Sequence, residues 1–284
     1  MELDRFEEIA ERYKVIFFDA YGVLKNSKGS IPGIDKTLAW LNERKKPYYI
    51  LTNDASRSPK QLMESYHVLG YTTIRESQII SSGMLTQQFL GYKVKSGTVV
   101  YVGPPSAAFF IDSLGLKSLH ISLMDLDNLP DDLSAVALMD DEGFEWQTGL
   151  NKLVNLLRRR NTPVIVANVD LGYPVAGNDI AIAIGGLAQM IKNLVGKTFI
   201  RFGKPGAQIF TFAFSHFAED GVEADRDEVL MVGDTLTTDI AGANKYGLDT
   251  ALVLTGNTLK EEVDTLIRST GITPTYLLAS AGMT

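Results

Sequence analysis

Short apolar runs rich in β-branched and aromatic residues alternate with helix-length amphipathic segments along this whole chain. Strands that pair in parallel need a long crossover, usually a helix, so the alternation specifies an α/β fold built on a parallel sheet. The pattern predicts strands near 15–19, 47–51, 98–102, 135–139, 163–167, 198–202, 229–233 and 250–254. Helices are predicted near 35–45, 59–69, 105–114, 147–160, 186–195, 206–217 and 239–246. Several ends have local causes: Ser58-Pro59 reads as an N-cap followed by a first-turn proline, and Gly70 and Gly247 stand where helices stop. At 284 residues, 45% hydrophobic and 21% charged, the chain is long enough for two packed cores.

Four of these strand ends carry chemically active side chains. Val15-Ile-Phe-Phe-Asp-Ala-Tyr-Gly-Val-Leu24 delivers Asp19 at the end of an apolar run and turns at once on Gly22. Thr52 and Asn53 follow Tyr48-Tyr-Ile-Leu51, Lys204 follows Thr198-Phe-Ile200 within Phe202-Gly-Lys-Pro-Gly206, and Val229-Leu-Met-Val-Gly-Asp234 is followed by Asp239. Asp, Thr, Lys and a pair of Asp residues, in that order and each beyond a strand, resemble the four motifs of the haloacid dehalogenase (HAD) phosphohydrolase superfamily. Between Asp19 and Thr52 there is room only for a turn, one helix and one strand, whereas the stretch from Thr52 to Lys204 can hold a complete α/β domain. The expected architecture is a Rossmann-like parallel-sheet core, 1–82 plus 198–284, with an inserted α/β cap at 83–197. That layout resembles subclass IIA of the superfamily, the sugar-phosphate and nitrophenyl-phosphate phosphatases, over nearly the whole chain.

The resemblance implies a magnesium-dependent phosphomonoesterase acting on a small phosphorylated metabolite, a sugar phosphate first. A carboxylate is a competent nucleophile toward phosphorus, and Asp19 is the candidate. Asp19, Asp234 and the main-chain carbonyl of Tyr21 are the implied magnesium ligands, which suits a hard cation that prefers oxygen. Thr52 would donate to a phosphoryl oxygen, with backbone N–H groups near Asn53 and Ala20 beside it. Lys204 would neutralise nucleophile and phosphoryl group as a point charge. Asp239 would hold Lys204 or a metal-bound water in place. In the cap, Ala167-Asn-Val-Asp-Leu-Gly-Tyr-Pro174 resembles the Asn-Pro-Asp substrate loop of this subclass with Val169 in place of proline, which makes Asn168 and Asp170 candidates for sugar hydroxyls.

One position departs from the family. Its phosphatases read Asp-x-Asp at the first motif, and here the second acid is Tyr21. General acid–base help is worth about 10²–10⁴-fold, and a tyrosine can donate a proton but is a poor base at neutral pH. Binding is therefore expected to survive better than turnover, and two alternatives stand: a haloacid dehalogenase, which needs no protonated leaving group, and a non-catalytic phosphometabolite-binding protein. Against the dehalogenase, the segment between Asp19 and Thr52 is too short for that enzyme's cap, and Gly233-Asp234-Thr-Leu-Thr-Thr-Asp239 keeps a metal-binding pattern.

Charge and composition remove other classes. A net charge of −7 and no basic tract longer than Arg158-Arg-Arg160 speak against a nucleic-acid partner. No cysteine is present, so thiolate chemistry is excluded and a cytoplasmic setting is expected. Met1 to Ala10, with Leu3, Phe6 and Ile9 at helical spacing, reads as an amphipathic surface helix and not a signal peptide, and the apolar run Ile180–Ala188 is too short to span a membrane, so no membrane partner is expected. Asp140-Asp-Glu-Gly-Phe-Glu-Trp146 reads as a solvated loop anchored by its aromatics. A homodimer through the cap is a further expectation.

Overall fold

The computed structural model describes residues 3–175 and 179–283; Met1 and Glu2 of the expected N-terminal helix lie outside them, and the helix itself is Phe6–Ala10. The first sheet has six parallel strands in the order Tyr276–Leu278, Asp249–Val253, Val229–Gly233, Val15–Phe18, Tyr48–Thr52, Ile79–Ser81. Val15–Phe18 lies inside it, covered on both faces, which is why its sequence is an unbroken apolar run with no polar alternation. Pairing of Phe18 with Val232 and with Ile50 levels the carboxyl ends of three neighbouring strands. Asp19, Asp234 and Thr52 consequently emerge along one edge, the edge at which open α/β sheets hold ligands.

A second parallel sheet, inserted in sequence between Ile79–Ser81 and Val229–Gly233 of the first, runs in the order Ile200–Arg201, Val164–Val166, Leu133–Leu138, Thr98–Val102, Lys117–His120. The strand predicted near 198–202 is thus the edge of the inserted sheet and not a strand of the core sheet. Its short apolar stretch, Phe199-Ile200, cannot specify a sheet; pairing of Ile200 with Ile165 and Arg201 with Val166 does. An antiparallel hairpin, Gly172–Pro174 with Ile180–Ile182, projects from this domain over the core strand ends.

The helix Ser82–Lys93 was not legible in the sequence. It packs between the two sheets, in one apolar cluster that contains Val15 and Phe17 from the first and Val99 and Tyr101 from the second. Its buried positions include Ser82, Gly83 and Thr86, so no single apolar stripe marks it. A Cβ on Gly83 would lie 2.4 Å from the Phe110 ring, so small residues there permit the close approach. The helix predicted near 239–246 also differs: a wide π-type turn, Leu236–Ile240, precedes the α-helix Ala241–Tyr246. Such turns often accompany functional residues, and this one holds Asp239.

Candidate active site

Lys204 organises the centre. It is 2% exposed, and its Nζ lies 2.6 Å from Asp19 Oδ1 and 2.6 Å from Asp239 Oδ1. Burial opposes its charge, but the two carboxylates outweigh burial and push the Lys204 pKa up, so the ammonium is permanent. Asn53 fixes the loop that carries it, accepting from the Lys204 N–H at 2.7 Å and donating to the Lys204 carbonyl at 3.0 Å. Asp239 is anchored by its other oxygen, which accepts from the backbone N–H groups of Asp234 at 3.2 Å and Thr235 at 3.0 Å.

Asp234 completes a triad. Carboxylate oxygens of Asp19, Asp234 and Asp239 all lie within 4.8 Å of one another. Two glycines make the room: a Cβ on Gly22, whose φ of +83° also favours glycine, would stand 2.2 Å from Asp234 Oδ2, and one on Gly256 would stand 1.9 Å away. Burial, with repulsion from Asp239, pushes Asp19 up to about 7, against the pull of Lys204. Asp234 is also raised, by burial and then by Asp239 and Asp19. Three clustered carboxylates facing one ammonium carry excess negative charge in a buried setting, and every donor they offer is a hard oxygen. The triad could hold a metal ion, and that charge excess is the physical reason it fits one.

Thr52 is buried at the strand end, its Oγ1 accepting from the Asp54 N–H at 3.2 Å, and its hydroxyl proton is free for a ligand among the described residues. The Asn53 side chain is not free: beyond its two bonds to Lys204 it donates to Asp170 Oδ1 at 2.9 Å. That bond ties the cap loop to the core. Asn168 faces the same cavity while its Oδ1 caps the Asp170 N–H at 2.9 Å. Burial pushes Asp170 up to about 6, with Lys204 and the Asn53 hydrogen bond acting against the rise. Tyr21 reaches across the domain interface, donating its hydroxyl to the Pro174 carbonyl at 2.8 Å and meeting the Tyr173 ring edge-on at 6.5 Å.

Two cavities meet at Asp19, one of about 280 Å³ and one of about 520 Å³. The smaller contains Lys25, which the sequence reading passed over, together with Arg57 and Asp140. Lys25, directly after the motif turn, is half-buried, and its pKa is lowered by burial and by Arg57. Arg57 itself pairs with Asp54 at 3.1 Å. Asp140 lines the wall, pushed up to about 7 by burial. The loop around it is therefore not simply solvated. Asp141 is 7% exposed and accepts from the Ile184 N–H and the Tyr173 hydroxyl, so it starts a helix and steadies the hairpin. Position after a strand was the signal that could have found Asp140; for Lys25 there was none.

A second domain closing over a lysine–aspartate centre at the carboxyl edge of a parallel sheet defines a capped Rossmann-like α/β protein. The family described as haloacid dehalogenase-like hydrolase matches residues 16–117, and the one described as HAD-hydrolase-like matches residues 201–281. The chain is 50% identical to a structure from Cytophaga hutchinsonii described as a possible sugar phosphatase of the HAD superfamily, covering 100% of this chain and 99% of that one with a TM-score of 0.93. Bovine (Bos taurus) chronophin is 27% identical over 90% of this chain and 86% of its own length. A glycerol phosphate phosphatase from Mycobacterium tuberculosis, solved in complex with magnesium, shares the fold at 23% identity and a TM-score of 0.77, over 99% of this chain and 78% of that one. The chain belongs to the HAD superfamily of hydrolases, as a phosphatase of subclass IIA.

Proposed function

We propose that this phosphatase hydrolyses phosphomonoesters of small metabolites, sugar and glycerol phosphates first, with magnesium, through an aspartyl-phosphate on Asp19. The observation that carries the reading is the Asp19 carboxylate held 2.6 Å from a buried ammonium on the wall of a cavity of about 280 Å³, which has room for a small ester. Similarity to a possible sugar phosphatase supports the substrate class. Asp19 attacks phosphorus in line with the departing oxygen. Lys204 offsets the charge that gathers on the nucleophile and the phosphoryl oxygens, and Thr52 donates to one of those oxygens. Asp239 keeps Lys204 in place and fixes the backbone of Asp234 and Thr235. Asp19, Asp234 and the Tyr21 carbonyl would hold magnesium, which when bound supplies positive charge to the phosphoryl group.

The dehalogenase alternative is disfavoured by the place of the insert, which follows Thr52 in sequence, and by the acidic triad. The cytosol remains the proposed compartment; among the described residues no helix is long and apolar enough to cross a membrane. We also read the cap as a dimer face, because Leu171, Ile180, Ile182, Met190 and Leu194 are exposed on its hairpin and the adjoining helix. The function is tested by phosphate release with magnesium from glycerol 3-phosphate, hexose phosphates and 4-nitrophenyl phosphate, with 2-chloropropionate as the rival substrate. Turnover lost in Asp19→Asn is expected. Chloride release would transfer the protein to the dehalogenases, and tight binding of esters without turnover would make it a sensor.

A further inference from the structure

An alkyl phosphate leaves poorly as an alkoxide, so the first step needs a proton donor at the departing oxygen and the second a base for the attacking water. The two cavities that meet at Asp19 share four wall residues, Asp19, Tyr21, Asp170 and Tyr173. These four form the boundary between the two cavities, a neck that includes the nucleophile itself. Both tyrosine hydroxyls on the neck are already donated, Tyr21 to the Pro174 carbonyl at 2.8 Å and Tyr173 to Asp141 Oδ2 at 3.3 Å. Lys204 is no proton source either, clamped between Asp19 and Asp239 with its pKa raised. Apart from the nucleophile, the group on the neck that keeps an oxygen unbonded among the described residues is the Asp170 carboxyl.

Asp170 is also the best placed of the cap acids. One carboxylate oxygen takes the Asn53 amide at 2.9 Å, which locates it against the loop that carries Lys204, and the other makes no hydrogen bond among the described residues. Its backbone is clamped from both sides. The N–H is held by Asn168 Oδ1, and the first turn of the helix Ile184–Val195 approaches so closely that a Cβ on Gly185 would lie 2.5 Å from the Asp170 carbonyl oxygen. Asp140, the other half-buried cap acid, lines only the smaller cavity, accepts from the Glu142 N–H at 3.0 Å and feels mainly Asp141, Asp54 and Glu142.

We propose that Asp170, a cap residue, is the acid–base catalyst of the reaction, in the place that Tyr21 leaves without a carboxylate. The step rests on the phosphomonoesterase reading above. As the bond from Asp19 to phosphorus forms and the bond to the leaving oxygen breaks, the Asp170 carboxyl gives its proton to that oxygen. In the second step the Asp170 carboxylate removes a proton from water as the water oxygen bonds to phosphorus and Asp19 departs as a carboxylate, which returns both residues to their starting states. Burial pushes Asp170 up to about 6, the position in which one carboxyl can both give and take a proton near neutrality. Lys204 and Asp239 are the charged groups that act on it from the core. Because Asp170 comes from the cap, acid–base chemistry is available only with the cap docked, which protects the phosphoenzyme from premature solvent.

The test is Asp170→Asn in the full-length protein with magnesium, assayed on glycerol 3-phosphate and 4-nitrophenyl phosphate. Asparagine keeps the oxygen that accepts from Asn53, so docking is preserved and only the titratable proton is removed. Turnover of the alkyl ester is expected to fall by about 10²-fold or more, while nitrophenolate, which needs no proton, leaves in a burst of one per site followed by a slow steady rate. Acid-quenched protein should then carry phosphate on Asp19. Asp170→Ala gives a second reading if added formate restores alkyl-ester turnover. Equal losses on both esters without a burst would show that Asp170 only docks the cap, and unchanged turnover would remove it altogether; either overturns the proposal. Selective loss of the alkyl ester in Lys25→Met but not in Asp170→Asn would move the role to Lys25 and overturn it as well. Wild-type protein inactive on both esters is a different failure, that of the phosphatase reading, and takes the proposal with it.

Discussion

Replacing Tyr21 with phenylalanine separates holding the cap from moving a proton. The ring stays, and with it the edge-on contact to Tyr173 at 6.5 Å; what is lost is one neutral hydrogen bond, 2.8 Å long, from the core to the Pro174 carbonyl of the cap hairpin. A bond of this kind contributes about 0.5–1.5 kcal/mol net, so the equilibrium for cap closure should fall by about 2- to 12-fold. The Asn53–Asp170 bond and the bond from the Ser106 hydroxyl of the cap to the Ser56 carbonyl of the core, 2.6 Å long, remain as polar ties, which is why closure weakens without being abolished. If chemistry requires the closed state, kcat/KM drops by that factor on aryl and alkyl phosphates alike, and the leaving-group dependence does not change. Steady-state kinetics on the two esters, with solution scattering at saturating phosphate mimic, measure both quantities. A loss of about 100-fold confined to the alkyl ester would refute the reasoning, because it would show that the Tyr21 hydroxyl reaches the leaving oxygen.

Lys204→Met leaves a cluster of buried carboxylates without their ammonium; removing one partner of a buried pair costs about 3–5 kcal/mol, so chemical denaturation should show a loss of that order and turnover should vanish. Asp19 has a raised pKa, so the folded protein binds its proton more tightly than the unfolded chain does, and ionising it destabilises the fold. In metal-free protein the stability advantage of Asp19→Asn over wild type should therefore grow from about pH 4 to about pH 7 and then level off; a pH-independent difference in melting temperature would contradict this. Gly256→Ala places a methyl group where Asp234 Oδ2 now lies, so calorimetry should find magnesium binding weakened along with that of Asp234→Asn. If the cap is a dimer face, Ile180→Asp should shift the molar mass in light scattering from dimer to monomer, and a wild-type monomer would remove that reading.

Much of the centre was legible because parallel strands impose a geometry that sequence can report. A doubly covered strand must be apolar throughout, so Val15–Phe18 and Val229–Gly233 stand out, and the residue that follows each lies at the carboxyl edge. Asp19, Thr52 and Asp234 could be placed from that rule alone; Lys204 could not, because the short strand before it lies in the inserted sheet. The helix Ser82–Lys93 could not, since a helix packed on two sides carries no one-sided stripe, and Ile200–Arg201 is too short for its sequence to choose between two sheets.

Residue order, the strand ends and the length between Thr52 and Lys204 were determined by sequence alone, since each follows from local covalent and packing rules. What only tertiary structure decided is which groups remain free once the domains meet. Tyr21 reads as a substitute for a missing acid, yet its proton is committed to Pro174; Asp170 reads as a sugar contact, yet it stands on the neck beside Asp19 with one oxygen unbonded among the described residues. A side chain's chemistry depends on its partners and its burial, and here those partners lie 117 and 153 residues away along the chain. No local pattern carries information over such distances, because the contact exists only after the two sheets have formed and the hairpin has come down over the core.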